Sequence, residues 1–311
     1  MKNFAKRASL VVLSLAFLAL TLCAYLIWEG SRQEPAVSRA EQLRSYERAR
    51  AWLLAHDRAV LAEGNVALWW MLKVAAERTH DEALGKLVQR YLNMLAQGET
   101  AQTPWRRLIE PSATFQPLAS FPEALEPYQY FYYHAATCQA IPAGDDHPDT
   151  SVFLSGNACR PMWRKVWMED RVCSSHQLMG LKLFQQSGCA TNQDLPKIEA
   201  SLLDDIQEQI TLSPMYQDAY IQRVLMIKWF GQGREVKSAW LRRIIQAQGD
   251  DGGWTGARLF PQWPRWAQPW GIKYVQLSVM GRDPQEAIPV SNFHATAQGL
   301  LLMALCLGES P

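Results

Sequence analysis

This sequence lacks the short motifs that identify many enzyme classes. It contains no Gly-x-Ser-x-Gly nucleophile motif, no glycine-rich phosphate loop and no dinucleotide fingerprint. It also lacks an excess of charge, because 31 Lys and Arg stand against 30 Asp and Glu. Proteins that bind nucleic acids need a basic surface to neutralise phosphates, so we predict no nucleic-acid partner. Nothing in the sequence predicts a cofactor or a metal.

The alternation of apolar and polar residues that marks a β-strand is missing as well. Apolar residues instead recur at spacings of three and four through most of the chain, which is the helical pattern. Residues 98–126 are rich in proline and are predicted to form a long surface connection. The sequence therefore predicts an all-α fold, with helices over about 43–53, 65–78, 80–97, from Pro127 onward, and over 174–186, 195–211, 213–229, 236–248 and 291–307.

Only one apolar run approaches the length of a membrane span, and it lies near the N-terminus. Residues 8–28 carry no charged side chain, and Lys2, Lys6 and Arg7 precede them. A helix of this length covers the ~30 Å of a bilayer core, and basic residues before it keep the N-terminus in the cytoplasm. The alternatives are a cleaved signal peptide, lipidation at Cys23 and a buried core helix.

The position of the apolar residues 8–28 divides the chain into predicted segments. We predict a single-pass protein of the bacterial inner membrane with the bulk of the chain in the periplasm. Its parts are a basic cytoplasmic tail (1–7), a transmembrane signal anchor (8–28), a tether (29–40) and an extracytoplasmic domain (41–311).

Four of the six cysteines lie within about 50 residues of one another. In an oxidising compartment, Cys138, Cys159, Cys173 and Cys189 indicate two disulfides with three possible pairings. Proximity in sequence favours Cys138–Cys159 and Cys173–Cys189. A zinc site that uses Cys173 and His176 together with other cysteines is the alternative.

One segment carries a family resemblance. Residues 241–254 read LRRIIQAQGDDGGW, a helix that ends in glutamine and is followed by an Asp-Gly-Gly-Trp turn. This resembles the QW-type repeat of squalene and terpenoid cyclases and of protein prenyltransferase β subunits. Gln248 is expected to bond backbone groups at the next turn, Trp254 to stack over it, and Gly252 and Gly253 to permit the sharp turn.

The resemblance implies an α/α toroid, in which helical hairpins form a ring. Residues 291–305 resemble the final inner helix of such toroids. The Asp-x-Asp-Asp acid motif of the cyclases and the Asp-x-Cys zinc motif of the prenyltransferases are both missing. The resemblance therefore concerns the fold alone and implies neither the cyclase nor the prenyltransferase reaction.

Polar residues on the predicted inner helices are the candidate site. His134, His176 and Asp218 are spaced 42 residues apart, each early in a predicted helix, as in an array of two-helix repeats. We predict His176, Asp218 and His294 as catalytic residues, because histidine titrates near neutral pH and suits general acid–base work. The alternative for each is a hydrogen-bonded core residue, a surface residue or a helix cap.

Aromatic and amide side chains complete the candidate site. A tryptophan-rich loop after residue 254 would form a stacking platform for sugar rings or a wall for an isoprenoid chain, or else serve packing alone. The predicted substrate-binding residues are Tyr130, His134, Tyr220, Gln222, Trp254, Trp263, Trp266 and Gln298. The sequence predicts either an enzyme that acts on cell-envelope glycan or a lipid-linked substrate, or a non-catalytic scaffold or binding subunit of an envelope assembly.

Overall fold

The architecture is helical throughout the part of the chain that the structure describes. The structure, a computed structural model, describes residues 2–97, 103–118, 125–142, 144, 148–161, 172–212, 217–256 and 291–308. Within these ranges there is no β-strand, and an isolated bridge joins Trp254 to Asn292. The all-α prediction is confirmed.

Twelve α-helices and one 3₁₀ helix make up the described chain. The 3₁₀ helix, Pro104–Leu108, lies inside the predicted surface connection. The predicted start of one helix at Ser213 falls outside the described residues. The α-helices are α1 (Lys2–Ser31), α2 (Arg39–Ala55), α3 (Asp57–Leu61), α4 (Val66–Thr79), α5 (Glu82–Leu95), α6 (Pro127–Thr137), α7 (Val152–Ser155), α8 (Cys173–Gln186), α9 (Leu195–Leu212), α10 (Gln217–Phe230), α11 (Ser238–Gln246) and α12 (Phe293–Leu307).

Local capping explains where several helices begin. The Asn65 side chain accepts a hydrogen bond from the Ala67 N–H at the start of α4, and the Asn292 side chain accepts one from Ala295 at the start of α12. These side chains satisfy backbone donors that the first helical turn leaves unpaired. The caps therefore fix the two helix ends that border the candidate site.

Helices α6 and α8 lie side by side and run in the same direction. At their starts the Tyr128 and His176 rings are stacked, and beyond their ends Cys138 is bonded to Cys189. Gly180 allows this close approach, because a Cβ atom there would collide with the Phe131 ring. The first turns of α6 and α8 consequently lie at one end of the domain.

Helices α10, α12 and α4 share this orientation. Helix α8 contacts α10, α10 packs on α12, and α12 packs on α4. The Trp69 ring of α4 lies 5.3 Å from the Phe293 ring of α12, so these two helices also begin together. Every residue from Ala295 to Leu305 is buried, so protein surrounds α12 on all sides. The interior around α12 is therefore filled by side chains.

The glutamine–tryptophan turn joins three helices. The Gln248 amide donates hydrogen bonds to the Gly252 carbonyl at 2.7 Å and to the Ser45 carbonyl at 2.9 Å. Gly252 has a φ of +95° and lies against the backbone of Arg48 in α2. The expected bond from Gln248 to the next turn is confirmed. The Trp254 ring lies against Gly299 of α12.

All four clustered cysteines form disulfides, as predicted, but the favoured pairing is wrong. The bonds are Cys138–Cys189 and Cys159–Cys173. The parallel packing of α6 and α8 brings residues 138 and 189 together although they are 51 positions apart. Proximity in sequence does not predict this pairing, because it takes no account of the way in which α6 and α8 pack.

Helix α1 carries most of the large apolar side chains that are exposed in the described part of the chain. Within the described residues, no helix is both long and apolar enough to cross a membrane, and the span predicted over residues 8–28 is not supported. Large apolar side chains of α1 are nevertheless exposed, among them Val11, Leu13, Phe17, Leu20 and Trp28.

The end of α1 is fixed to the domain. The Trp240 indole donates a hydrogen bond to the Gly30 carbonyl at 3.0 Å, and the Arg242 guanidinium pairs with Glu34 at 2.8 Å. Helix α1 continues to Ser31 and α2 begins at Arg39. The predicted tether of residues 29–40 is therefore shorter than expected and is held against α11.

Candidate functional site

His176, Asp218 and His294 lie together where α8, α10 and α12 begin. The charge of His294 lowers the pKa of His176, and the negative charge of Asp218 raises the pKa of His294. Such effects weaken with distance, so the three residues lie in the same part of the domain. Each residue lies in the first turn of its helix, and the common direction of the helices brings the three first turns to one end of the domain.

His176 is a neutral imidazole enclosed by aromatic rings. The Tyr128 ring stacks on it with centroids 3.8 Å apart, and the Tyr132 ring meets it edge-on at 6.4 Å. Burial lowers the pKa of His176 to about 3, because an imidazolium there would lose its water, and His294 lowers it further. The positive end of α8 acts in the same direction. Nδ1 of His176 has no hydrogen-bond partner among the described residues.

His294 differs from His176 in being accessible to solvent. Its side chain is exposed at the start of α12. The surrounding protein still lowers its pKa by displacing water, while the carboxylates of Asp218 and Glu63 raise it. A side chain that solvent reaches, but that loses part of its hydration, lies in a concave part of the surface. His294 is therefore the most exposed of the three side chains.

Asp218 is held beside α12 by the chain that leaves the glutamine–tryptophan turn. Its Oδ1 accepts a hydrogen bond from the Ala219 N–H at 2.7 Å. A Cβ atom on Gly256 would lie 3.6 Å from Asp218 Oδ2 and 3.1 Å from Asn292 Nδ2. The Asn292 N–H in turn donates to the Trp254 carbonyl at 2.8 Å. The backbone of Gly256 thus forms a wall beside Asp218 and the cap of α12.

Two glutamines lie one helical turn deeper than the charged residues. Gln222 follows Asp218 by four positions on α10, and Gln298 follows His294 by four on α12, so each pair shares a helix face. Both glutamines are buried, and Oε1 of Gln298 has no hydrogen-bond partner among the described residues. Asp218 and His294 therefore form a titratable rim, and Gln222 and Gln298 form an uncharged layer below it.

Other predicted site residues lie elsewhere. His134 was expected early in its helix but occupies the last turn of α6, against the Phe184 ring at 5.4 Å. Burial lowers the pKa of His134, and Asp149 raises it. Tyr130 belongs to a separate apolar cluster with Tyr133 and Ile141. The spacing of 42 residues therefore does not mark equivalent positions in α6 and α8.

Two predicted binding residues are buried in packing contacts. The Arg243 guanidinium lies 5.4 Å from the centre of the Tyr220 ring. Trp254 is fully buried, and its indole donates a hydrogen bond to the Ile244 carbonyl at 2.9 Å. Trp254 therefore joins α11 to α12 and offers no surface to a substrate. Trp263 and Trp266 lie outside the described residues.

Glu63 is a site residue that the sequence analysis missed. It lies between α3 and α4, and its carbonyl accepts a hydrogen bond from the Trp69 indole at 3.1 Å. Trp69 packs on Phe293, the neighbour of His294, and the Glu63 carboxylate raises the pKa of His294. No local pattern marks Glu63, because its place depends on contacts between residues that are far apart in the chain.

The described residues hold no group of three or more His, Cys, Asp or Glu side chains that is arranged to bind a metal. The cysteines of the proposed zinc alternative are bonded to one another in pairs. Comparison with known proteins gives no relative: no protein family, no curated protein and no solved structure matches this chain. The functional argument therefore depends on the geometry of the site.

Proposed function

We propose that this protein is an enzyme of the cell envelope that acts by general acid–base chemistry on a glycan or a lipid-linked substrate. The observation that carries the proposal is the grouping of an accessible histidine, a carboxylate and a neutral buried histidine at one end of the domain. Acid–base catalysis requires a group that titrates near the working pH and that a substrate reaches. His294 is the histidine of this group that is exposed to solvent, and hence the one that a substrate would reach.

The three side chains have different roles in the proposed reaction. His294, in its neutral form, takes a proton from an attacking hydroxyl or water and later returns it to the leaving oxygen. Asp218 stabilises the imidazolium that forms between these steps, since its negative charge raises the pKa of His294. His176 stays neutral and holds the substrate by hydrogen bonding. The first step requires only that a substrate hydroxyl or a water molecule reach His294.

The proposed location is the periplasmic side of a bacterial membrane. Two disulfides are typical of an oxidising compartment. Ten large apolar side chains of α1 are exposed, and lipid is the proposed cover of this surface.

We propose further that the helical hairpins close into an α/α toroid. The succession of contacts from α6 through α8, α10 and α12 to α4 supports this arrangement, as does the glutamine–tryptophan turn. The packed interior around α12 implies that the site is a depression at one end of the ring.

The proposal is tested with purified full-length protein and isolated cell-envelope glycan or lipid-linked glycan precursor, with new chain ends detected by mass spectrometry. His294→Ala and Asp218→Asn should each lower turnover, with a loss of about 100-fold or more for His294→Ala. His80→Asn is the control, because His80 is exposed and its left-handed backbone suits asparagine. Equal turnover in the wild type and in His294→Ala would rule out the assigned chemistry.

A scaffold that holds partner proteins is the second candidate. It is favoured by the exposed apolar face of α1 together with the filled interior around α12. Flotation with protein-free vesicles separates the two candidates. If the full-length protein floats with vesicles and a variant without residues 2–28 does not, lipid covers α1. If neither floats, a protein partner is the better explanation of the apolar surface.

A further inference from the structure

A cleft opens at the end of the domain opposite His294. Most of its lining comes from the last turns of α4, α8 and α10, which run in the same direction. A helix rises about 1.5 Å per residue, so the last turn of α10 at Trp229 lies roughly 15 Å from its first turn at Asp218. The cleft has a volume of about 730 Å³, within the range of roughly 300–1,000 Å³ that is usual for ligand sites. It is therefore large enough to hold a ligand and separate from the predicted catalytic residues.

Aromatic rings form the deep part of this cleft. The Trp229 ring packs against the buried Trp70 ring with centroids 4.6 Å apart and stacks on the Phe230 ring at 4.5 Å. These contacts fix the orientation of the Trp229 indole, although its side chain is only half-buried. Part of the indole is therefore open to a ligand, and little side-chain freedom would be lost on binding.

Polar side chains border the aromatic surface on two sides. Arg78 at the end of α4 and Gln186 at the end of α8 both line the cleft and are exposed. Guanidinium and amide groups donate hydrogen bonds to hydroxyl and carbonyl oxygens. A ligand that fits the cleft therefore combines an apolar face with a polar edge.

The charges around the cleft are largely balanced. Lys182 Nζ lies 2.5 Å from a carboxylate oxygen of Glu199, and the Glu77 carboxylate lies 2.6 Å from Lys73 Nζ. These pairs leave Arg78 as the one basic residue of the cleft that is not in an ion pair with another described residue. A phosphate-rich polymer requires several unpaired basic groups, so a neutral ligand fits better.

A second cavity of about 400 Å³ adjoins the first at Trp229, which lines both. The loop that follows α10 forms part of its lining through Gly231, Gln232 and Gly233. Two adjoining cavities that share one tryptophan fit successive units of a chain better than they fit one compact ligand.

We propose that these two cavities hold a neutral glycan chain, with a sugar ring against Trp229 and the neighbouring units in the cavities on either side. A sugar ring has an apolar face of C–H groups, which fits the aromatic surface, and hydroxyl groups at its edge, which fit Arg78 and Gln186. A hydrocarbon chain would leave these polar side chains unused. The inference goes beyond the proposed function, because it assigns a glycan-holding site that is remote from His294 and does not depend on the reaction there.

The test is calorimetry with full-length protein and neutral N-acetylglucosamine oligosaccharides of two and six units. The six-unit probe should bind at least about tenfold more tightly, because it reaches both cavities. Trp229→Ala should weaken its binding by about tenfold or more, since the aromatic surface is lost. Trp28→Ala is the matched control, because Trp28 is exposed on α1. Arg78→Ala should weaken binding by about threefold or more through the loss of hydrogen bonds, and it decides the test if Trp229→Ala loses its folded state.

His294→Ala separates this inference from the proposed function. It should bind the six-unit probe as the wild type does, because His294 lies at the opposite end. Binding that is weakened in Trp229→Ala and Arg78→Ala and kept in Trp28→Ala and His294→Ala supports the inference. No binding, equal affinity for the two lengths, or binding that Trp229→Ala and Arg78→Ala leave unchanged would overturn it. Binding that is lost in His294→Ala alone would also overturn it, since the glycan would then lie at the other end, and the proposed function would stand.

Discussion

The ring of Tyr128 lies on the ring of His176, with the centroids 3.8 Å apart and the planes inclined by 26°. This contact joins the first turn of α6 to that of α8 and covers one face of the imidazole. It contributes to the burial that keeps His176 uncharged. The account of the site depends on this difference between a neutral, enclosed His176 and an accessible His294.

The buried state of His176 predicts an acid-sensitive fold. Its pKa is about 3 when folded and near 6.5 when unfolded, so between these values the unfolded chain binds more protons. The free energy of unfolding should therefore fall as pH falls through this window, by up to about 1.4 kcal/mol per pH unit from this group. In His176→Gln that dependence should be weaker, as measured by urea denaturation at pH 7, 5.5 and 4.

His80→Asn serves as the control for that series, because His80 is exposed. It should follow the wild type at each pH. An acid dependence in His176→Gln as steep as in the wild type would show that His176 is not the group responsible.

Removal of the Asp218 charge should lower the pKa of His294. The Asp218 carboxylate favours the imidazolium form of His294 and so raises its pKa. In Asp218→Asn this effect is lost, and the loss of hydration then lowers the pKa further. Glu63→Gln should lower the pKa in the same direction and by a smaller amount, since the Asp218 charge acts more strongly. NMR titration of the histidine ring signals measures both changes. A rise in the pKa in either variant would contradict the arrangement of the rim.

Gly299 should not tolerate a larger residue. A Cβ atom there would lie 2.6 Å from the Trp254 ring, so Gly299→Ala should destabilise the protein by about 1–3 kcal/mol. Gly85→Ala is the matched control, because open space surrounds that position in α5 and alanine favours a helix. Chemical denaturation should show the two substitutions changing the unfolding free energy in opposite directions. Equal effects would mean that Trp254 does not lie against α12.

The disulfides should differ in their contribution to stability. Cys138–Cys189 closes a longer segment than Cys159–Cys173, with separations of 51 and 14 residues. In the chain-entropy model the longer loop contributes about 4 kcal/mol and the shorter about 3 kcal/mol. Paired serine substitutions and thermal unfolding measure both contributions. Peptide mapping that finds Cys138 joined to Cys159 would contradict the parallel packing of α6 and α8.

Local patterns predicted the helices well because helix formation depends on near neighbours. The apolar spacing predicted helices over 65–78 and 291–307, within two residues of the observed bounds of α4 and α12. Gln248 also bonds the next turn as expected, since that contact spans four residues. The short range of these interactions explains their success.

Long-range contacts account for what the sequence could not predict. The pairing of Cys138 with Cys189 and the place of Glu63 depend on how separate helices pack. The burial of Trp254 has the same origin, because Gly299 lies 45 positions away in the sequence. His176, Asp218 and His294 were singled out from helical positions, and the common direction of their helices brings them together.

A double-mutant cycle on His294 and Asp218 tests the central claim most directly. Substitutions of residues that act as a unit have strongly non-additive effects on the rate. Because the Asp218 charge acts through His294, its removal should have no further effect once His294 is replaced. The account predicts that kcat/KM for the envelope glycan in His294→Ala/Asp218→Asn equals that in His294→Ala alone. A double variant whose loss is the product of the two single losses would show that the two residues act independently, and would contradict the account.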